Sequence, residues 1–225
     1  GTMLWTGTIT MIGAITMVVG AGRAMIETDL KRVLAYSTIS ALGIMTLLFG
    51  MGTPAAVTAG LAYLLAHACY KGALFLVAGA VEHETGTRDV AMLAGLRRVM
   101  PATALAAGLA AASMAGIPLF GGFIAKEQLY DTLMLAALPG MWRDVLTAAA
   151  VATSMCLGAA GLIAGIVPFR GRSMPTPAPH DAPASLWLGP LILGISGVIL
   201  GLVPSLVSAP IVSAAAAVTG TTSGT

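Results

Sequence analysis

Apolar residues run along this chain in long blocks separated by short polar intervals. A helix rises about 1.5 Å per residue, so about 20 apolar residues cross the roughly 30 Å hydrocarbon layer of a bilayer. Six blocks meet that length: Leu4 to Gly22, Leu30 to Gly50, Pro54 to Val81, Met100 to Leu138, Val145 to Val167 and Leu186 to Val203. The fourth is too long for one straight crossing: about 38 residues would make a rod of roughly 57 Å. It also carries Gly116-Ile117-Pro118 and Gly121-Gly122 near its middle. Proline removes a backbone donor and clashes with the preceding turn, so the block reads as one broken helix or as two short ones. The apolar stretch Leu206 to Val218 is short and holds Pro210. It reads as an interfacial segment or the lead-in to further sequence rather than a seventh crossing.

Charge placement favours a single broken span. In that topology Arg23, Lys31, Arg32, Arg88, Arg97, Arg98, Arg170 and Arg172 share one side, with Arg143 on the other. Cytoplasmic loops are the ones enriched in Lys and Arg. The loops near 23–32, 82–99 and 169–185 are therefore expected in the cytoplasm, with both ends of the chain outside. Ser173 to Ser185 holds Pro175, Pro177, Pro179 and Pro183 and reads as an extended linker. Composition agrees with a membrane class: of 225 residues, 57% are hydrophobic and only 9% charged, with mean hydropathy +0.93. Soluble domains carry about 25% charged residues. A net charge of +2 without a basic patch gives no reason to expect nucleic acid. The expected fold class is all-α, a polytopic bundle. The chain opens directly on an apolar run with no signal-peptide layout and is read as a piece of a longer protein.

Against that apolar background the ionisable residues at membrane depth stand out, because each costs at least ~2.5–3.5 kcal/mol to insert. They are His67, Lys71, Lys126 and Glu127, with Asp131 as a possible fifth. His67 and Lys71 lie four residues apart and share a helix face, on which no acidic residue falls. A lysine held away from water gives up its proton more readily, and imidazole titrates near neutral pH already. Tyr63, one turn earlier, extends the polar face. The plainer alternative has Lys71 snorkelling to the interface and His67 bonding a carbonyl. Lys126 and Glu127 follow the Gly116–Gly122 break, and transporters place ion sites at such breaks; a hydrated cavity is expected at Lys126. The alternative makes the pair ordinary interfacial charges. Ser37 and Thr38 either line a water file or bond their own helix.

Other chemistry is missing from the pattern. Cys69 and Cys156 sit in apolar runs as small hydrophobes, and no zinc, iron–sulfur, haem or phosphate-loop spacing occurs. No cofactor and no metal site is expected. Glu82-His83-Glu84 reads as a solvated cap in a loop.

Three segments carry a resemblance. Asp29-Leu30-Lys31-Arg32-Val33-Leu34-Ala35-Tyr36-Ser37-Thr38-Ile39-Ser40 resembles the signature of the antiporter-like subunits shared by complex I and the Mrp antiporters. His67-Ala68-Cys69-Tyr70-Lys71-Gly72-Ala73-Leu74-Phe75 resembles their "HAxxK" helix. Gly116-Ile117-Pro118-Leu119-Phe120-Gly121-Gly122-Phe123-Ile124-Ala125-Lys126-Glu127 resembles their second broken helix. The order and spacing also agree. Within that superfamily, Glu82-His83-Glu84-Thr85-Gly86-Thr87-Arg88-Asp89 followed by Gly95-Leu96-Arg97-Arg98 resembles the A subunit of Mrp-type sodium/proton antiporters. The resemblance implies that residues 1–168 are the second of two inverted five-helix repeats, 169–185 a linker, and 186–225 a further membrane helix with an apolar tail. It implies His67 and Lys71 as central members of a proton path and Lys126 as its terminal lysine. A second histidine often found one turn before His67 is replaced by Tyr63. The implied function is proton and sodium translocation by a multisubunit sodium/proton antiporter of the bacterial inner membrane, with H+, Na+ and other subunits as partners. A redox-driven pump subunit of an NADH dehydrogenase or membrane hydrogenase, and a non-conducting scaffold, are the alternatives.

Overall fold

A computed structural model describes residues 3–171 and 182–220. The chain forms eight α-helices among the described residues: α1 (Met3–Ile26), α2 (Leu30–Met51), α3 (Pro54–Thr85), α4 (Pro101–Ala115), α5 (Gly121–Met134), α6 (Gly140–Gly165), α7 (Ala184–Leu202) and α8 (Ser205–Thr219). The only β pairing among the described residues is a single antiparallel bridge between Asp29 and Asp89. The fold is all-α, as the hydrophobic blocks predict.

Among the described residues, five helices are long and apolar enough to cross a bilayer: α1, α2, α3, α6 and α7. The fourth predicted crossing, Met100 to Leu138, is indeed broken, into α4 of 15 residues and α5 of 14. Each half is about 21–23 Å long, too short alone for the hydrocarbon layer, so the two make one interrupted crossing. The fifteen-residue α8 is likewise too short to cross alone, and it packs back on α3. The Pro-rich segment falls largely on residues 172–181, outside the described residues.

Local chemistry sets the helix starts nearest the functional residues. Asp29 caps α2 by accepting from the N–H groups of Lys31 and Arg32 at 2.9 and 3.1 Å. Thr53 caps α3 by accepting from the N–H of Ala56, with Pro54 in the first turn where its missing donor costs nothing. The short 27–29 connection makes α1 and α2 antiparallel neighbours. Ser40 on α2 donates to the carbonyl of Met17 on α1 at 2.6 Å. At the core of the bundle, α3 packs against α2, α4, α5, α6, α7 and α8.

One expectation is corrected. Glu82, His83 and Glu84 form the last turn of α3 rather than a loop. Nor is Glu82 merely a solvated cap: it pairs with Lys31, and Arg88 bridges it to Asp29, at 3.6 Å to Glu82 and 3.0 Å to Asp29. The four side chains form a cluster of alternating charge that joins the start of α2 to the end of α3. Sequence periodicity carries no signal for this cluster because its two halves are about 50 residues apart in the chain. Leu30 N–H donates to Arg88 O and Val90 N–H to Thr28 O, both at 2.9 Å, so backbone bonds reinforce it.

Candidate functional site

Lys71 lies midway along α3 and is only 4% exposed. Its ammonium crosses to α2, donating to the carbonyl of Leu34 at 3.0 Å and to the hydroxyl of Ser37. Ser37 in turn donates to Val33 O at 2.8 Å, and the Thr38 hydroxyl to Leu34 O at 2.8 Å. The hydroxyl-rich stretch of α2 thus serves Lys71 unequally. Ser37 touches the amine itself, whereas Thr38 bonds its own helix and shares the same acceptor carbonyl. Snorkelling is ruled out, since the amine is buried against a neighbouring helix.

His67 is 7% exposed. Its Nδ1 lies 3.2 Å from the hydroxyl of Tyr70, and the two rings meet edge to face with centroids 5.3 Å apart. The immediate partner of His67 is therefore Tyr70 rather than Lys71. Tyr63 is buried, and its hydroxyl lies near that of Tyr70 without forming a proper hydrogen bond. Sequence reasoning passes over Tyr70. It lies between His67 and Lys71, and its i+3 spacing from His67 is the signal that could have found it.

Lys126 is placed by the break. Gly116 ends α4 with φ 80°, a left-handed conformation that favours glycine. Its N–H bonds back to Ala112 and Ser113, and Ile117 N–H to Ala112 at 3.1 Å. The carbonyl of Ala115 is left over, and Lys126 donates to it at 3.0 Å. The carbonyl of Ser154 on α6 accepts as well, at 3.4 Å. A Cβ at position 116 would sit 2.8 Å from Lys126 Cδ, so the glycine also makes room for the lysine stem. Gly122 fulfils a second steric demand: a Cβ there would run into the Ser113 carbonyl.

Neither buried ammonium forms an ion pair among the described residues; both are held by neutral oxygens. Removing a charge from water costs several kcal/mol unless hydrogen bonds replace its solvation, and carbonyls and a hydroxyl supply that replacement here. Five buried polar atoms have no protein partner among the described residues: Tyr63 OH, Thr103 Oγ1, Ser113 Oγ, Gln128 Oε1 and Ser154 Oγ. Two of these, on Ser113 and Ser154, belong to residues that border Lys126 or its break.

Glu127 and Asp131 lie on the other side of α5 and are exposed, so the structure does not bring them to Lys126. Asp131 lines a cavity of about 1220 Å³ between α1, α3, α5 and α6, with Gln128 and Thr132 beside it. The Lys126 amine is packed against the two helix carbonyls of Ala115 and Ser154. Cys69 and Cys156 are both free thiols, and among the described residues no cluster of three metal-ligating side chains occurs.

A probable K(+)/H(+) antiporter A/B subunit of Rhizobium meliloti is 45% identical over 130 residues, 58% of this chain and 13% of that protein. The Na(+)/H(+) antiporter A subunit of Alkalihalophilus pseudofirmus is 32% identical over 237 positions, 96% of this chain and 29% of that protein. The chain thus spans less than a third of the length of these relatives. Among solved structures, the Mrp complex from Dietzia sp. DQ12-45-1b superposes with a TM-score of 0.88 at 26% identity, covering 97% of this chain and 48% of that one. Respiratory complex I from Thermus thermophilus gives 0.82 at 25% identity, covering 98% and 46%. The family model described as "NADH:quinone oxidoreductase/Mrp antiporter, TM" matches residues 2–160, which include α2, α3, the break and both buried lysines. By that match this chain belongs to the NADH:quinone oxidoreductase/Mrp antiporter transmembrane family.

Proposed function

We propose that this chain is an ion-translocating repeat from one subunit of a sodium/proton antiporter complex, and that Lys71, His67 and Lys126 carry its protons. The observation that carries this reading is the pair of buried ammoniums held by neutral oxygens alone. A carboxylate partner favours the charged form of an amine. An amine held by carbonyls and a hydroxyl can lose its proton and keep weaker contacts with the same acceptors. Tyr70 and Tyr63 extend the polar line beyond His67. The five buried polar atoms without a protein partner are of the kind that ordered internal water satisfies, and water is the natural bridge between groups too far apart to exchange protons directly.

Residues 1–168 form the second five-helix repeat in this reading, 169–185 the linker, and 186–225 a further membrane helix with its tail. The loops near 23–32, 82–99 and 169–185 face the cytoplasm. The ions are H+ and Na+, and the other partners are the remaining subunits of the complex and the bilayer. Glu127 and Asp131 face away from Lys126 and are assigned no proton-carrying step.

The test is sodium-dependent proton exchange in membrane vesicles carrying the whole complex. Lys71→Ala and Lys126→Ala, each assembled at the wild-type level, should each abolish exchange. Full exchange in both variants would leave only the scaffold role. The likeness to complex I, with 98% of the chain superposed, favours one second reading, a redox-driven pump. Exchange driven by a sodium gradient with no electron donor present supports the antiporter. Proton movement that appears only during NADH or quinone turnover supports the pump.

A further inference from the structure

Among the described residues, Leu119 is the only non-glycine with positive φ, at 79°. It sits within the break. A leucine in that region carries about 1–2 kcal/mol of strain, and such a conformation persists only where its surroundings impose it. The Leu119 side chain is 64% exposed, so its own packing does not impose it. The close neighbour is the backbone of α7. A Cβ added at Gly201 would collide with the Leu119 carbonyl oxygen, and would lie 2.5 Å from both the Leu119 and Phe120 carbonyl carbons. The same helix follows the break on both sides: Leu200 Cβ would be 3.1 Å from a Cβ at Gly121, and Ser113 Oγ 3.5 Å from one at Gly197. Phe120 is the residue from which α5 starts, and α5 carries Lys126.

We propose that Gly201 is a positioning residue for Lys126: the bare backbone of α7 at this point holds the left-handed Leu119 and the extended Phe120 in the turn that aims α5. α7 lies beyond residues 2–160, the part matched by the family model, so this assigns a task to a helix outside the repeat. The effect on transport rests on Lys126 acting in the proton path as proposed above, whereas the effect on geometry does not. Gly201→Ala forces either α7 or the break to move, and the strained turn is the softer of the two.

The experiment uses the whole complex and two readouts. The first is sodium-dependent proton exchange per assembled complex. The second is cross-linking by a short bifunctional thiol reagent between Lys126→Cys and Ser154→Cys, which reports α5 against α6 whether or not Lys126 conducts. Gly201→Ala should lower exchange about tenfold or more and reduce the cross-link per assembled complex, and adding Leu119→Gly should restore part of both. Gly189→Ala, on the same helix with 3.4 Å to its nearest neighbour, should match the wild type in both. A role confined to stability would lower the amount of complex and leave the cross-link per complex unchanged. An unchanged cross-link in Gly201→Ala overturns the proposal. A reduced cross-link with full exchange upholds the positioning but removes Lys126 from the path. Where Gly201→Ala blocks assembly, the double variant with Leu119→Gly should assemble, and a double variant no better than the single also overturns it.

Discussion

The two buried lysines meet the same physical requirement in opposite ways. Lys71 rides on an unbroken helix and borrows its acceptors from a neighbour, the carbonyl of Leu34 and the hydroxyl of Ser37 on α2. Lys126 belongs to a helix that is cut, and the cut itself releases the acceptor at Ala115, with Ser154 of α6 completing the set. A regular helix consumes its own carbonyls, so a buried ammonium must find either a carbonyl that can take a second donor or one left unpaired. The first solution depends on the register between two helices. The second depends on the geometry of a turn.

Perturbing each mechanism separately sharpens this contrast. Gly122→Ala should have the largest effect. Its methyl enters the Ser113 carbonyl, and overpacking of this kind costs about 1–3 kcal/mol. Exchange should be lost or fall by more than about tenfold, while a cross-link between α2 and α3 stays at the wild-type level. A change in that α2–α3 cross-link would mean that the two sites are not separate. Ser37→Ala should come next. It removes a hydrogen bond to a charged group, worth about 1.5–3 kcal/mol, and leaves Lys71 with the Leu34 carbonyl alone. About a tenfold fall in exchange, with normal assembly, is expected. Thr38→Val should do least, because its hydroxyl bonds its own helix and does not touch the amine; a change within about threefold is expected. An effect of Thr38→Val equal to that of Ser37→Ala would place Thr38 in the path.

The same contrast explains what can be read from the chain. The break is legible because it is made by residues with special backbones: Gly116, Pro118, Gly121 and Gly122 interrupt an apolar block too long for one crossing. His67, Lys71 and Lys126 are legible because an ionisable group in an apolar run is costly. Their partners are not. The carbonyls of Leu34, Ala115 and Ser154 are atoms that every residue carries, and only tertiary packing selects them. The cluster of Asp29, Lys31, Glu82 and Arg88 escapes a sequence reading for a related reason. It joins two segments far apart in the chain, and each half taken alone resembles ordinary interfacial charge. Glu127 shows the opposite failure. Its position next to Lys126 makes it a candidate, but neighbours on a helix point about 100° apart, and the structure turns Glu127 outward.

Proton transfer along this path requires Lys71 and Lys126 to give up protons, beyond merely being positive. Arginine keeps the charge and the donors but is not deprotonated in proteins. The most direct measurement is therefore sodium-dependent proton exchange in vesicles bearing the assembled complex with Lys71→Arg or Lys126→Arg. Loss of exchange as complete as in the alanine variants is the expected result. Exchange close to wild type with a permanent cation at either position would contradict it.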